Sequence, residues 1–192
     1  INGDKAYLLL NNSNKITIVD RVTFKKTGEI TAQINNPRYM AVANGNLYVS
    51  NDQYGNLYVS NDQYGGAKYV AVYKSSDNSF VKKIDFASTS TVENVVEAGG
   101  TIFVQNASYG FGNTITKINT TSNTIDGTVI TVPNGDISKT ISSNGNVYTI
   151  AGTATDSYIY QISPAGAITK TTTLTGIANG RNIQVDSGRY YF

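Results

Sequence analysis

The chain has 192 residues, of which only 15% are charged, and its net charge of +2 indicates neither a nucleic-acid partner nor an anionic membrane. It has no cysteine and no histidine, so this sequence holds no disulfide, no thiolate metal site and no Ser-His-Asp triad. It also lacks any run of 18 apolar residues, which predicts that it contains no transmembrane segment.

Predicted strands recur along the chain in a fixed order. The first type follows a turn glycine and carries an aromatic residue: Gly3–Tyr7, Gly45–Tyr48, Gly100–Phe103, Gly145–Tyr148 and Gly188–Tyr191. The second type is rich in Ile and Val: Ile16–Asp20, Val70–Lys74, Ile115–Asn119 and Ile159–Ser163. After a polar turn comes a Thr/Val/Ile-rich type: Gly28–Ala32, Phe80–Phe86, Thr124–Ile130 and Ala167–Leu174. The last type precedes the following turn glycine: Tyr39–Ala43, Glu93–Ala98, Ile137–Ser142 and Arg181–Asp186.

This order predicts an all-β chain, a β-propeller of four-stranded antiparallel blades. No segment has sustained helical periodicity, and the strands follow one another without helical crossovers. The repeats run approximately over residues 1–34, 35–91, 92–135, 136–178 and 179–192, so about four blades are visible. The first repeat lacks its innermost strand and the last offers only two strands. We therefore expect residues 1–192 to form a single, partial propeller that belongs to a larger ring.

The spacing of the repeats reveals a surplus of ten residues. The interval between the first two Ile/Val-rich strands is 54 residues, whereas the next two intervals are 45 and 44. Gly45–Tyr54 recurs identically as residues 55–64, and removal of one copy restores a spacing of 44. We interpret the surplus as a recent tandem duplication or an artefact in the sequence, and favour the artefact. A second copy would expose an edge-competent apolar strand, so we expect only one copy to occupy the aromatic strand.

Five segments resemble a known repeat: Leu47–Asn51, Tyr69–Tyr73, Ser79–Ile84, Asn36–Val42 and Ile16–Asp20. They are similar to the YVTN-type propeller repeat, which runs as Tyr-Val-Thr-Asn, a Val-x-Val-Ile-Asp strand, a Thr-rich strand and a Pro-led inner strand. More narrowly, the chain resembles the YncE-like and DUF5074-type propellers of the Gram-negative cell envelope, many of which are lipoproteins. The resemblance implies a seven-bladed ring and an extracytoplasmic location, in the periplasm or at the cell surface. It does not specify a ligand.

Aromatic residues at equivalent positions of the repeats invite two interpretations. They are Tyr7, Tyr48 (or Tyr58), Phe103, Tyr148 and Tyr191. They could form a stacking platform for a ligand, but aromatics that recur in every repeat usually form core layers. We therefore predict that they pack between blades.

Polar residues at the start of the inner strands form the candidate ligand site. They are Arg38, Tyr39, Glu93, Asn94, Lys139, Arg181 and Asn182, with Ser138 beside Lys139. In a propeller such residues line or rim the central channel, and here they differ from repeat to repeat, unlike core positions. The plainer interpretation, which the residues alone favour, is that they solvate the channel mouth or pair as Arg–Glu.

The segment Tyr109–Asn113 contains Gly-x-Gly without the third glycine or the strand and helix of a dinucleotide site. We interpret it as a loop that presents Tyr109 and Phe111 to a partner. No catalytic motif, metal-ligand spacing or cofactor motif stands out, and the acidic residues are scattered.

Three functional hypotheses follow. The first, which we favour, is a non-enzymatic binding or interaction propeller of a bacterial envelope, with a protein partner such as an outer-membrane transport or secretion complex, or a small ligand at the channel. The second is a lactonase-like or lyase-like enzyme that uses Glu93 with Arg38 or Arg181, or residues on further blades. The third is a structural surface-layer or adhesion repeat, which low charge and high Thr/Asn content would suit.

Overall fold

Five antiparallel β-sheets make up the described part of the protein. The computed structural model describes residues 1–52, 68–87, 91–108 and 111–192, and at positions 52, 108 and 128 it describes the backbone alone. Apart from a 3-10 turn at Asn11–Ser13, these residues contain no helix. The described residues therefore include no helix that is long and apolar enough to cross a membrane. The all-β prediction is confirmed.

The strands of each sheet follow one another in the chain. The first sheet has three strands: β1 (Lys5–Leu10), β2 (Lys15–Asp20) and β3 (Lys26–Ile30). The second has four: β4 (Pro37–Ala43), β5 (Asn46–Asp52), β6 (Lys68–Lys74) and β7 (Phe80–Phe86). The third has β8 (Val92–Ala98), β9 (Thr101–Ser108), β10 (Phe111–Asn119) and β11 (Thr124–Thr131). The fourth has β12 (Asp136–Ser143), β13 (Asn146–Gly152), β14 (Ser157–Ile162) and β15 (Ile168–Leu174). The last pairs β16 (Gln184–Asp186) with β17 (Arg189–Tyr191).

Two compact units divide the chain, Ile1–Val92 and Glu93–Phe192. In the first unit, apolar residues of the first two sheets share one core, which includes Ile16, Leu47 and Tyr73. In the second unit, the third and fourth sheets share a core around Phe103, Ile137 and Tyr160. Each core is therefore a layer between adjacent sheets.

Tight hairpins with two residues at positive φ join the first two strands of each four-stranded sheet. Asn44 and Gly45 have φ of 45° and 72°, and Asn144 and Gly145 have 48° and 72°. Two successive positive φ values define the type I′ turn, whose twist matches that of the flanking strands and which favours Asn-Gly. The glycine that marks each repeat in the sequence is thus a hairpin residue.

The recurring aromatics are buried at four positions and exposed at the fifth. Tyr7, Tyr48, Phe103 and Tyr148 are at most 8% exposed. Tyr191 is 51% exposed, so our prediction that it packs between blades was wrong. Its sheet has two strands, whereas the sheets that hold its four buried equivalents have three or four strands.

Two further predictions bear on particular segments. The first copy of the doubled decapeptide supplies β5, while residues 55–64, including Tyr58, lie outside the described residues. The strand expected over Arg181–Asp186 is shorter than predicted, because β16 begins only at Gln184.

Candidate functional site

Most of the sequence-predicted site residues lie on the first strand of a sheet. Arg38 and Tyr39 are half-buried on β4 in the first unit. In the second unit, Glu93 and Asn94 are buried on β8, and Lys139 is half-buried on β12. Each of these strands is an edge strand of its own sheet. We call them the inner strands.

A β-bulge interrupts β4 at the predicted site residues. Pro37 lies opposite Asn51 and Met40 lies opposite Val49, so Arg38 and Tyr39 together face one residue of β5, Ser50. An extra residue in one strand bends that strand and re-aims its side chains. The sequence thus places its variable polar pair where the backbone leaves the regular pleat.

The buried Ser50 holds this bulge in place. Its hydroxyl accepts a hydrogen bond from the Tyr39 N–H at 3.0 Å and donates to the Tyr39 carbonyl at 3.3 Å. Neighbouring Asn51 accepts a hydrogen bond from the Asn35 N–H at 2.9 Å and donates to the Val49 carbonyl at 2.9 Å. Both side chains are fully buried, and both find partners, as buried polar groups must. Ser50 and Asn51 close the Tyr-Val-Ser-Asn segment, which sequence reasoning used only as a sign of resemblance.

The same bulge recurs in β12 of the second unit. Ile137 lies opposite Ala151 and Lys139 lies opposite Ile150, which leaves Ser138 as the extra residue. Tyr39 and Lys139 each stand six residues before the turn glycine of their repeat. The bulge therefore belongs to the repeat, while the side chains that it carries change from Arg-Tyr to Ser-Lys.

A chain of buried polar groups supports the β12 bulge. The Thr149 hydroxyl donates to the Lys139 carbonyl at 3.0 Å and accepts from the Thr140 hydroxyl at 3.1 Å. The Asn94 side-chain amide donates to the Thr140 carbonyl, which connects β8 with β12. Asn94, Thr140 and Thr149 are at most 4% exposed. The structure thus brings Asn94 and Lys139 into one hydrogen-bonded network, with Glu93 next to it on β8.

Arg181 and Asn182 occupy a different setting from the other predicted residues. Both are exposed and precede β16, and the Asn182 carboxamide oxygen accepts a hydrogen bond from the Ile183 N–H at 3.0 Å. Ile183 is 3% exposed and packs with Tyr148 and Ile150. The buried Ile183 anchors the segment, while the two polar side chains stay at the surface.

The predicted partner loop is described only in part. Tyr109 lies outside the described residues. Phe111 begins β10 and is 77% exposed. The next residue, Gly112, donates its N–H to the Asp136 carboxylate at 3.1 Å, which ties this side of the loop to β12. The exposed Phe111 is therefore next to a backbone group that is hydrogen-bonded to β12.

The inner strands combine hydrogen-bonded hydroxyls with charged side chains. The Thr140 and Thr149 hydroxyls each donate to an oxygen of the network. Among the described residues, no group of three or more acidic side chains is placed to hold a metal ion. What the inner strands offer is charged and polar side chains on a rigid, irregular backbone.

Comparison with known proteins supports the fold. No family model matches the chain, and no curated protein matches it. Hydrazine synthase of Kuenenia stuttgartiensis superposes on 95% of the chain with a TM-score of 0.71 and 20% identity. The Dos1 propeller superposes on 93% with a TM-score of 0.63 and 9% identity. The dihydro-heme d1 dehydrogenase NirN, solved in complex with DHE, superposes on 96% with a TM-score of 0.63 and 10% identity.

These similarities show a β-propeller fold and nothing finer. The chain spans 49% of the hydrazine synthase chain, 46% of the Dos1 propeller and 38% of NirN. The chain therefore corresponds in length to about half of each of these proteins, or less.

Proposed function

We propose that this chain is part of a non-enzymatic binding propeller in which, within each unit, the bulged start of an inner strand forms a recognition surface. The observation that carries the proposal is the repeated bulge at Arg38–Tyr39 and at Ser138–Lys139. Its register is the same in both repeats, while the side chains differ. A constant scaffold that displays variable polar side chains is how binding sites are commonly built on rigid folds.

The side chains at the starts of the inner strands favour a protein partner with acidic and hydrogen-bonding groups. Arg38, Lys139 and Arg181 are cations, Tyr39 adds an aromatic hydroxyl, and Glu93 supplies one carboxylate. Arg and Tyr are enriched where proteins bind one another, because each combines apolar contact area with hydrogen bonding. In the second unit, Phe111 is exposed at the start of β10 and would add an apolar contact to the partner.

The cell envelope of a Gram-negative bacterium is the location we propose for this activity. The low fraction of charged residues and the YVTN/YncE-like segments support it. In that setting the chain would accompany an outer-membrane transport or secretion assembly, in a protein that carries a lipid anchor.

A capture experiment with charge-matched variants tests this proposal. The immobilised chain is incubated with detergent-solubilised Gram-negative envelope proteins, and bound proteins are quantified by mass spectrometry. Lys139→Glu reverses a charge at the β12 bulge, whereas Lys170→Glu makes the same change on the exposed outer strand β15. We expect a stoichiometric partner whose recovery falls about tenfold or more with Lys139→Glu and is unchanged with Lys170→Glu. Equal recovery with both variants, or no stoichiometric partner at all, would refute the proposal.

A further inference from the structure

The turn between β2 and β3 exposes two apolar side chains. Val22 is 72% exposed and Phe24 is 81% exposed, and no other large apolar side chain among the described residues is as exposed as Phe24. Arg21, Lys25 and Lys26 surround them in the sequence. Lys26 is paired with Glu29 at 2.7 Å, whereas Arg21 and Lys25 are exposed on either side of the apolar pair in the sequence.

Comparison with the equivalent turns of the other sheets shows that this turn is unusual. Each turn has one residue in the left-handed region: Phe24 at φ 56°, Asn78 at 64°, Asn123 at 52° and Gly166 at 95°. Asn and Gly tolerate this conformation, whereas a bulky side chain is strained in it. The first sheet thus has a strained, exposed aromatic where two other sheets have Asn and one has Gly.

Hydrogen bonds fix the backbone of the turn that carries this aromatic. The Asp20 carboxylate accepts hydrogen bonds from the Val22 N–H at 3.0 Å, the Thr23 N–H at 2.7 Å and the Thr23 hydroxyl at 2.8 Å. The bonds from Thr23 are the main reason that the pKa of Asp20 lies below its ordinary value of 3.8. The Phe24 N–H donates to the Asp20 carbonyl at 2.8 Å. Strain at an exposed position of a hydrogen-bonded turn points to a function.

We propose that the β2–β3 turn inserts Val22 and Phe24 into the interface of an anionic lipid membrane, with Arg21 and Lys25 contacting the headgroups. Aromatic side chains flanked by cations are the composition that favours the boundary between headgroups and acyl chains. The overall charge of +2 gave no sign of this, because the cations matter through their position beside the apolar tip rather than through their number.

A lipid surface fits this tip better than a protein surface does. An aromatic side chain buries about 150–250 Å² and a valine buries less, whereas a stable protein interface buries about 800 Å² per partner. A convex tip of two apolar residues falls far short of that area. Shallow insertion into a membrane needs only a few apolar side chains when nearby cations are attracted to anionic lipids.

The tip lies at the end of the sheets opposite to the β4 bulge. The Arg21 N–H donates to the Asp4 carbonyl at 2.9 Å, which places the tip beside the start of β1. Lys5, the first residue of β1, donates to the Ser76 carbonyl at 3.0 Å, in the β6–β7 turn. That turn and the bulge lie at opposite ends of the second sheet, roughly 20 Å apart for strands of this length. The first unit can therefore rest on a membrane while its inner-strand site stays accessible.

Vesicle binding measures the proposed contact directly. Because the chain contains no tryptophan, Phe24→Trp places a single tryptophan at the tip. The probes are phosphatidylcholine vesicles with and without phosphatidylglycerol. We expect the tryptophan emission to shift to the blue, and brominated lipids to quench it, only with the anionic vesicles. The shift should weaken as added salt screens the charges.

Two substitutions separate a membrane contact from a structural role. Phe24→Asn installs the residue found at this position in two other turns, and Phe192→Asn removes another exposed aromatic, outside this turn and 56% exposed. In co-sedimentation we expect Phe24→Asn to lower vesicle affinity about tenfold or more without lowering the unfolding midpoint, and Phe192→Asn to change neither. Vesicle binding that is unchanged by Phe24→Asn, or a tryptophan at position 24 that stays in water, would overturn the proposal. So would binding of a purified envelope protein to this tip in place of lipid.

Discussion

Removal of the Ser50 hydroxyl is the sharpest perturbation of the inner-strand scaffold. Ser50→Ala deletes the group that accepts the Tyr39 N–H at 3.0 Å and donates to the Tyr39 carbonyl at 3.3 Å. A typical hydrogen bond contributes about 1 kcal/mol net, and a buried donor left unpaired costs about 1–3 kcal/mol. We therefore expect a loss of about 1–2 kcal/mol.

Two readouts check this expectation. The unfolding midpoint in a thermal scan should fall by about 2–8 °C, since each kcal/mol shifts Tm by about 2–4 °C in a chain of this size. Hydrogen exchange of the Tyr39 amide should accelerate. Ser122→Ala is the matched control, because the Ser122 hydroxyl is exposed and pairs only with that of Thr124 at 2.7 Å. We expect it to change stability by less than about 0.5 kcal/mol. If Ser50→Ala behaved like the control in both readouts, Ser50 would not hold the bulge.

Three further predictions concern the two cores and the segment just before β12. Tyr160→Phe should destabilise the chain by about 1–2 kcal/mol in urea unfolding, because the hydroxyl both accepts from and donates to the Asn134 backbone at 3.0 Å; an unchanged midpoint would contradict this. Gly135→Ala should cost more than Gly127→Ala, since both have φ of 76° but only at Gly135 would a Cβ lie 2.9 Å from backbone atoms of another strand. Equal losses would show that the contact relaxes. Burial raises the pKa of the Tyr73 hydroxyl above its ordinary value of 10.0, so the contribution of Tyr73 to stability should be constant below that pH and fall as pH rises toward the raised pKa. Tyr73→Phe should remove this part of the alkaline loss in a pH series, and an identical alkaline limb in the variant would refute it.

The architecture could be predicted from the sequence because several independent signals agreed. A turn glycine, an aromatic strand and an Ile/Val-rich strand recur at a nearly constant interval, and each has a separate physical cause. Asn44-Gly45 and Asn144-Gly145 form hairpins because only such pairs readily adopt two successive positive φ values. Tyr48 and Phe103 are fully buried on strands that contribute side chains to the cores between sheets.

The details of the site were less accessible to sequence reasoning. A bulge is a matter of register, and neither Arg38-Tyr39 nor Ser138-Lys139 has a composition that reveals one. The supporting role of Ser50 was also missed, although a serine in an otherwise apolar middle strand was a usable signal. Tyr191 was assigned to a core layer by analogy with its equivalents, but burial depends on neighbouring strands that a repeat alignment does not show.

The turn aromatic shows how an exception within a repeat becomes informative. Alignment of the four equivalent turns sets Phe24 against Asn78, Asn123 and Gly166. The alignment alone marks a departure from the pattern. The structure adds that Phe24 has a positive φ and is exposed, a combination that is unfavourable for a bulky apolar residue.

Site-specific photo-crosslinking tests the central claim, recognition at the inner-strand bulges, most directly. Benzoylphenylalanine is placed at Tyr39 on the β4 bulge or, in a matched protein, at Phe80 on the outer strand β7. Each protein is irradiated in native Gram-negative envelopes. Our account predicts one discrete crosslinked partner from position 39, and none from position 80. A partner captured from position 80 but not from position 39 would contradict it.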